Sequence, residues 1–238
     1  MAALKIKEAK HVRIEDCRFK NNFFGIHTIN STNVIYKNNV LESGEVEGKP
    51  AANGIHCWKS DSLLIENNIV EGHRDGIYLE FVKNSKIVNN QSINNSRYGM
   101  HFMFAHDNLF QHNLFDLNGA GVAVMYSKRV EMRENVFTRS WGNAAYGVLL
   151  KEMDDSKIIA NYFSNNTLAI YGDGANRVEI YNNEFSNNGW AINMNASSVD
   201  AIISENNFIG NTFDLATNGN LKMKSLDGNF WESMKVMT

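Results

Sequence analysis

The chain has 238 residues, a formal charge of -3, 43% apolar and 21% charged residues, values ordinary for a folded domain. That balance offers no polycationic face for phosphate backbones, which argues against nucleic acid as a partner, and two cysteines are too few for a disulfide framework. No apolar run approaches the roughly 20 residues that span a bilayer.

The composition is biased in one respect: 35 residues are asparagine and a single residue is proline. In chain order, the opening MAALKIKEAK lacks the apolar core of a secretory signal, and Leu4-Lys5-Ile6 reads as the second strand of an incomplete turn. A repeat then takes over. Asparagines in the pattern apolar-x-x-Asn-x-apolar fall at 39, 68, 90, 113, 135, 161, 183 and 206. The small residues Gly25, Gly54, Gly76, Gly99, Gly121, Gly147, Ala169 and Ala191 keep the same spacing to within one residue. Each repeat carries two alternating runs, such as Val34-Ile35-Tyr36 before the asparagine and Gly99-Met100-His101-Phe102-Met103 after the glycine. Period-2 alternation over about five residues marks half-buried strands, and asparagine and glycine interrupt every window before a helix could complete three turns.

Strands this close in sequence, with no helix to cross over, must coil so that equivalent strands stack in parallel. The expected fold is all-β: a right-handed, single-stranded parallel β-helix of about eight to nine turns of 22–23 residues, one domain over residues 1–238. The eight asparagines are expected to form an inward ladder at one corner. Two steps are long, because of insertions at 42–53 and 138–146, and same-corner insertions border a common face. No capping helix is evident at either end, and Gly228–Trp231 opens a corner with nothing after it. The expectation is an excised part of a longer protein, or ends covered by another chain, end-to-end self-association included.

Alternation after each glycine sorts side chains by face. Ile26, Ile55, Ile77, Met100 and Val122 belong inside, as do Thr28, Cys57, Leu79, Phe102 and Val124, and both thiols are expected to be buried and inert. Outward second positions read His27, His56, Tyr78, His101, Ala123 and Leu149; outward fourth positions read Ile29, Trp58, Glu80, Met103, Met125 and Lys151. Methionine, tryptophan and histidine in one stripe mark a site or a partner surface. His101, Met103 and Met125 are placed to converge, a soft donor set suited to Cu(I) and poor for Mg²⁺ or Ca²⁺. His27, His56, Trp58, Tyr78, Glu80 and His106 extend the stripe as a partner or ligand face. The competing reading is carbohydrate: Trp58 as a sugar platform, with Tyr78, Glu80, His101 and Lys151 as acid, base and charge-neutralising groups of a polysaccharide lyase or epimerase. Against it, Glu80 and Asp173 lie four turns apart, about 19 Å, too far for a glycosidase pair.

The segments Arg97-Tyr-Gly-Met-His-Phe-Met-Phe-Ala105 and Gly121-Val-Ala-Val-Met-Tyr-Ser-Lys-Arg129 resemble the NosD family, and the likeness runs on through Gly147-Val-Leu-Leu150 and Ala169-Ile-Tyr171 to Gly228-Asn-Phe-Trp231. The resemblance implies a periplasmic accessory protein for the copper–sulfide centre of nitrous-oxide reductase. It implies an ABC transporter membrane component, a copper chaperone and the reductase as partners, and more readily a non-catalytic role than an enzymatic one. His101, Met103 and Met125 fall on the motif, and copper is the metal the resemblance calls for.

Overall fold

The computed structural model describes residues 2–43, 45–46, 49–232 and 236–237. Among them are strands and turns and no helix. Three parallel sheets of 11, 10 and 10 strands run the length of the molecule, and the chain visits them in strict rotation. The parallel β-solenoid expected from the repeat is therefore the fold.

Two details differ from the sequence expectation. Ten full turns are present where eight to nine were expected: Ala2–Lys7, Lys10–Glu15 and Arg18–Lys20 already make one complete turn ahead of Gly25, so Leu4–Ile6 opens a whole turn. Those residues lack the glycine and asparagine markers, so counting markers misses them. At the other end Phe230–Trp231 and Val236–Met237 continue the third and first sheets. Each turn also has three strands, not two. The third, such as Leu114–Asp116, is only three residues long and leaves too little alternation to read.

The interior explains the composition. From Asn39 to Asn229, each ladder amide Nδ2 donates to the Oδ1 of the asparagine one turn on, at 2.9–3.0 Å. The same amides donate to backbone carbonyls, as Asn113 does to Ile87, so a buried corner has its polar groups satisfied. Cys17 holds the equivalent place in the first turn, where its amide donates to Asn39 Oδ1; its thiol is half-buried, whereas Cys57 is fully buried. A second ladder, Asn166–Asn188–Asn211 with Asn95–Asn118 above it, closes the next corner. Beside it Phe115, Phe137, Phe163, Phe185 and Phe208 stack at ring separations of 4.6–5.2 Å.

The repeated glycine is dictated by this packing. A Cβ on Gly99 would lie 2.7 Å from the Gly121 carbonyl oxygen and 3.0 Å from the Phe115 ring. The 42–53 insertion, in which residues 44, 47 and 48 lie outside the described set, and the 138–146 insertion both leave the third sheet and return to the first. They flank the same face, the outer side of the first sheet.

Candidate functional site

Strand pairing confirms the files predicted for that face. His27, His56, Tyr78, His101, Ala123, Leu149 and Tyr171 are successive partners across the first sheet. So are Ile29, Trp58, Glu80, Met103, Met125 and Lys151. The rings of the first file stack continuously: His27–His56 at 4.7 Å, His56–Tyr78 at 4.8 Å and Tyr78–His101 at 4.7 Å.

A third outward file went unread. Strict alternation counted back from inward Met100 would turn Tyr98 inward as well. The glycine between them interrupts the pleat: its own Cβ direction points at core Phe115, and the Tyr98 ring lies against His101 at 5.0 Å. This file runs Asn53, Asp75, Tyr98 and Ala120. Asp75 is fully buried and is gripped by Arg97 through Nε at 2.7 Å and Nη2 at 2.5 Å. A carboxylate directly before a repeat glycine, with an arginine one turn on, is the signal that could have found this pair.

His101 is where the two files meet. It is 5% exposed, and Arg97 Nη2 donates toward its Nδ1 at 3.3 Å, while Asp75 Oδ2 lies 3.9 Å from the same nitrogen. Burial works to raise the Asp75 carboxyl; the His101 and Arg97 groups outweigh it and hold the carboxyl below its ordinary range. His101 Nε2 is buried and meets no hydrogen-bond partner. Neither nitrogen of His56 has one, though Glu80 Oε2 stands 4.0 Å from Nε2. Burial, reinforced by His27, pushes His56 down to about 4, and His27 is lowered too, so both rings are neutral at neutral pH.

The predicted residues separate into groups. Met103 and Met125 are direct partners on adjacent strands, both half-buried, and His101 lies on the same face two residues before Met103. His101 turns Nδ1 toward Asp75 and Arg97, leaving Nε2 as its free nitrogen. Trp58 sits beside Glu80, with the Lys59 ammonium 4.4 Å over its ring. Lys151 does not reach Tyr78: it pairs with Met125, three strands beyond Glu80. His106 leaves the cluster for the corner row with Lys83, where its Nδ1 accepts from the Lys128 amide at 3.1 Å. Tyr78 is pushed up to about 12, chiefly by burial and then by Glu80, so its phenol holds its proton.

The donors suit a soft cation. Two thioethers and a free imidazole nitrogen stand on one face. Among the described residues no group of three or more His, Cys, Asp and Glu is arranged to hold a metal. No helix among the described residues is long and apolar enough to cross a membrane.

Comparisons with known proteins agree with the fold and add a family. The A-module of mannuronan C-5 epimerase AlgE4 from Azotobacter vinelandii superposes with a TM-score of 0.79 at 16% identity, over 96% of this chain and 71% of that one. An alginate lyase from Paenibacillus sp. str. FPU-7 matches with a TM-score of 0.67 at 13% identity, over 98% and 97%. The periplasmic alginate epimerase AlgG matches with a TM-score of 0.64 at 18% identity, over 92% of this chain and 50% of that one. At such identities the likeness is one of fold. No functionally curated protein matches. The family model described as "Periplasmic copper-binding protein (NosD)" matches residues 39–237, nearly the whole solenoid, and the chain belongs to the NosD family.

Proposed function

We propose that this chain is a copper-handling accessory protein of the periplasm that presents Cu(I) on the outer face of its first sheet during assembly of the copper centre of nitrous-oxide reductase. In that role it works beside a copper chaperone and the membrane component of an ABC transporter. The observation that carries the reading is the Met103–Met125 pair, in register on adjacent strands beside a buried histidine nitrogen without a partner. Thioethers select Cu(I), bind without releasing a proton and hold the ion loosely enough to pass it on.

His101 completes the set as a ligand through Nε2 once its proton sits on Nδ1. That tautomer would require Nδ1–H to leave Arg97 and close on Asp75 Oδ2, which stands 3.9 Å away, and would then give the carboxylate–histidine–metal arrangement that orients metal-binding imidazoles. Asp75 and Arg97 are then positioning residues. The polysaccharide reading is weaker on this geometry: Lys151 lies three strands beyond the Tyr78 strand, too far along the face to neutralise a uronate beside it.

The test is a competition titration of the full chain with a Cu(I) chelator, without oxygen. M103L/M125L is expected to lower Cu(I) affinity at least tenfold with the fold intact by circular dichroism. Unchanged affinity removes the metal assignment. Turnover of polymannuronate by the wild-type chain, lost on Tyr78→Phe, would instead establish the polysaccharide reading.

A further inference from the structure

Exposed apolar side chains are not scattered over this molecule. Among the described residues eight large ones are exposed, and six of them border the outer face of the first sheet. Phe81, Phe104 and Tyr126 directly follow Glu80, Met103 and Met125, at the corner where the first sheet gives way to the second. Their rings stack at 5.1 Å and form an apolar ridge alongside the methionine pair. On the opposite edge Phe23, Leu117 and Trp141 lead into the strands Phe24–Ile29, Ala120–Met125 and Tyr146–Asp154.

The fold does not ask for these residues. Phe81, Phe104, Tyr126 and Leu117 have φ of 51–55°, the left-handed region that a large side chain enters at a cost. Other turns place Asn30 at the first of these corners, and Asn94 and Asn165 at the second, with φ of 47–54°. Backbone and solvent both disfavour the four apolar residues, so a contact outside the fold must offset them.

The face between the edges says what that contact is like. Its two files, from His27 to Leu149 and from Ile29 to Lys151, hold one carboxylate, Glu80, and one ammonium, Lys151. The corner cations Lys83 and Lys128 already face Asp61 and Asp154. An anionic membrane surface or a polyuronate would need free cations here. Strands of six residues are about 17 Å long and six of them in succession span about 24 Å, so the bracketed patch is roughly 400 Å² before its edges, the scale of a transient protein contact.

We propose that the two apolar edges are the docking surface for a protein that carries Cu(I), the copper chaperone proposed above, through a contact that is apolar and nearly uncharged. The inference rests on the copper reading and deepens it. In the hand-over the carrier's bonds to the metal break as bonds to Met103 and Met125 Sδ form; the copper stays Cu(I), and the thioethers neither gain nor lose a proton. Such exchange requires the two ligand sets to touch. The carrier must therefore cover the methionines, and the ridge beside them is part of what it covers.

Stopped-flow delivery of Cu(I) without oxygen tests this, from two sources: the purified Cu(I)-loaded chaperone of the same organism, and a small-molecule Cu(I) chelate. The variants F81N/F104N/Y126N and L117N install the residue that the same corners carry in other turns. Delivery from the chaperone is expected to slow about tenfold in the ridge variant and about threefold in L117N, with delivery from the chelate unchanged. In wild type the chaperone rate should change less than about threefold between about 0.05 M and about 0.5 M salt. Unslowed delivery in the ridge variant overturns the proposal, as does equal slowing from both sources, which puts the loss in the copper site itself, or a rate that falls steeply with salt. Should the ridge variant fail to fold, L117N and the salt series decide. If wild type takes copper from the chelate and not from the chaperone, the docking surface is wrong and the methionine site stands. If it takes copper from neither, both fall.

Discussion

Two vertical files of polar side chains run through this molecule, one inside a corner and one outside a sheet, and they are satisfied differently. In the interior, every ladder asparagine donates to the next and to a carbonyl, so stacking identical side chains makes each turn the partner of its neighbours. On the outer file, His56 and His101 stack just as regularly and yet leave nitrogens with no partner. Repetition therefore stabilises the amide file, whereas the imidazole file carries a cost that a bound ligand would offset. The difference separates scaffold from site without reference to any relative.

Substitutions should make that contrast measurable. The largest effect is expected inside: Asn113→Ala strands the buried Asn90 amide and the Ile87 carbonyl, and should cost about 4 kcal/mol in urea unfolding. Next comes Arg97→Ala, which uncovers a fully buried Asp75 carboxylate. A loss of about 3 kcal/mol is expected, recovered in good part by Asp75→Asn in the same chain. A loss under 0.5 kcal/mol would mean that Asp75 is not charged in the folded protein.

An effect of pH follows from His73, which burial pushes down to about 4 from an ordinary value of 6.5. The folded protein takes up this proton at lower pH than the unfolded chain does, so unfolding is favoured as pH falls. Stability should be full above about pH 6.5 and decline toward pH 4. His73 occupies the second ladder's place beside Asn95, whose Oδ1 accepts its amide. His73→Asn should therefore flatten the fall in melting temperature between pH 7 and pH 4.5, and an unchanged slope would put the acid sensitivity elsewhere. The smallest effect should have the opposite sign: His56→Leu, a residue the same file already tolerates at Leu149, should leave the unfolding free energy unchanged or raise it by up to about 1 kcal/mol. A clear loss would show that the His56 nitrogens serve the fold after all.

Much of this was legible in the sequence because a solenoid turns periodicity into contact. Two markers in step fixed the register, and the register set His101, Met103 and Met125 on one face before any coordinates. What escaped was whatever broke the period. The first turn, Ala2–Lys20, has neither marker and its strands went uncounted. The three-residue strands of the third sheet are too short to show alternation, so the phenylalanine stack was not anticipated. Tyr98 and Asp75 were missed because a glycine interrupts the pleat just where counting begins, and with them went the group that orients His101. Lys151 was grouped with the site from its place in the fourth-position file and His106 from its nearness in the chain to His101; strand pairing sets Lys151 three strands beyond Glu80 and His106 in the corner row with Lys83.

The central claim is that methionine sulfur on this face holds copper. X-ray absorption at the copper edge of the full chain loaded with one equivalent of Cu(I) tests it most directly. The account predicts sulfur neighbours in the first shell of wild type that disappear in M103L/M125L. A first shell of nitrogen and oxygen alone in wild type, unchanged by that double substitution, would contradict it.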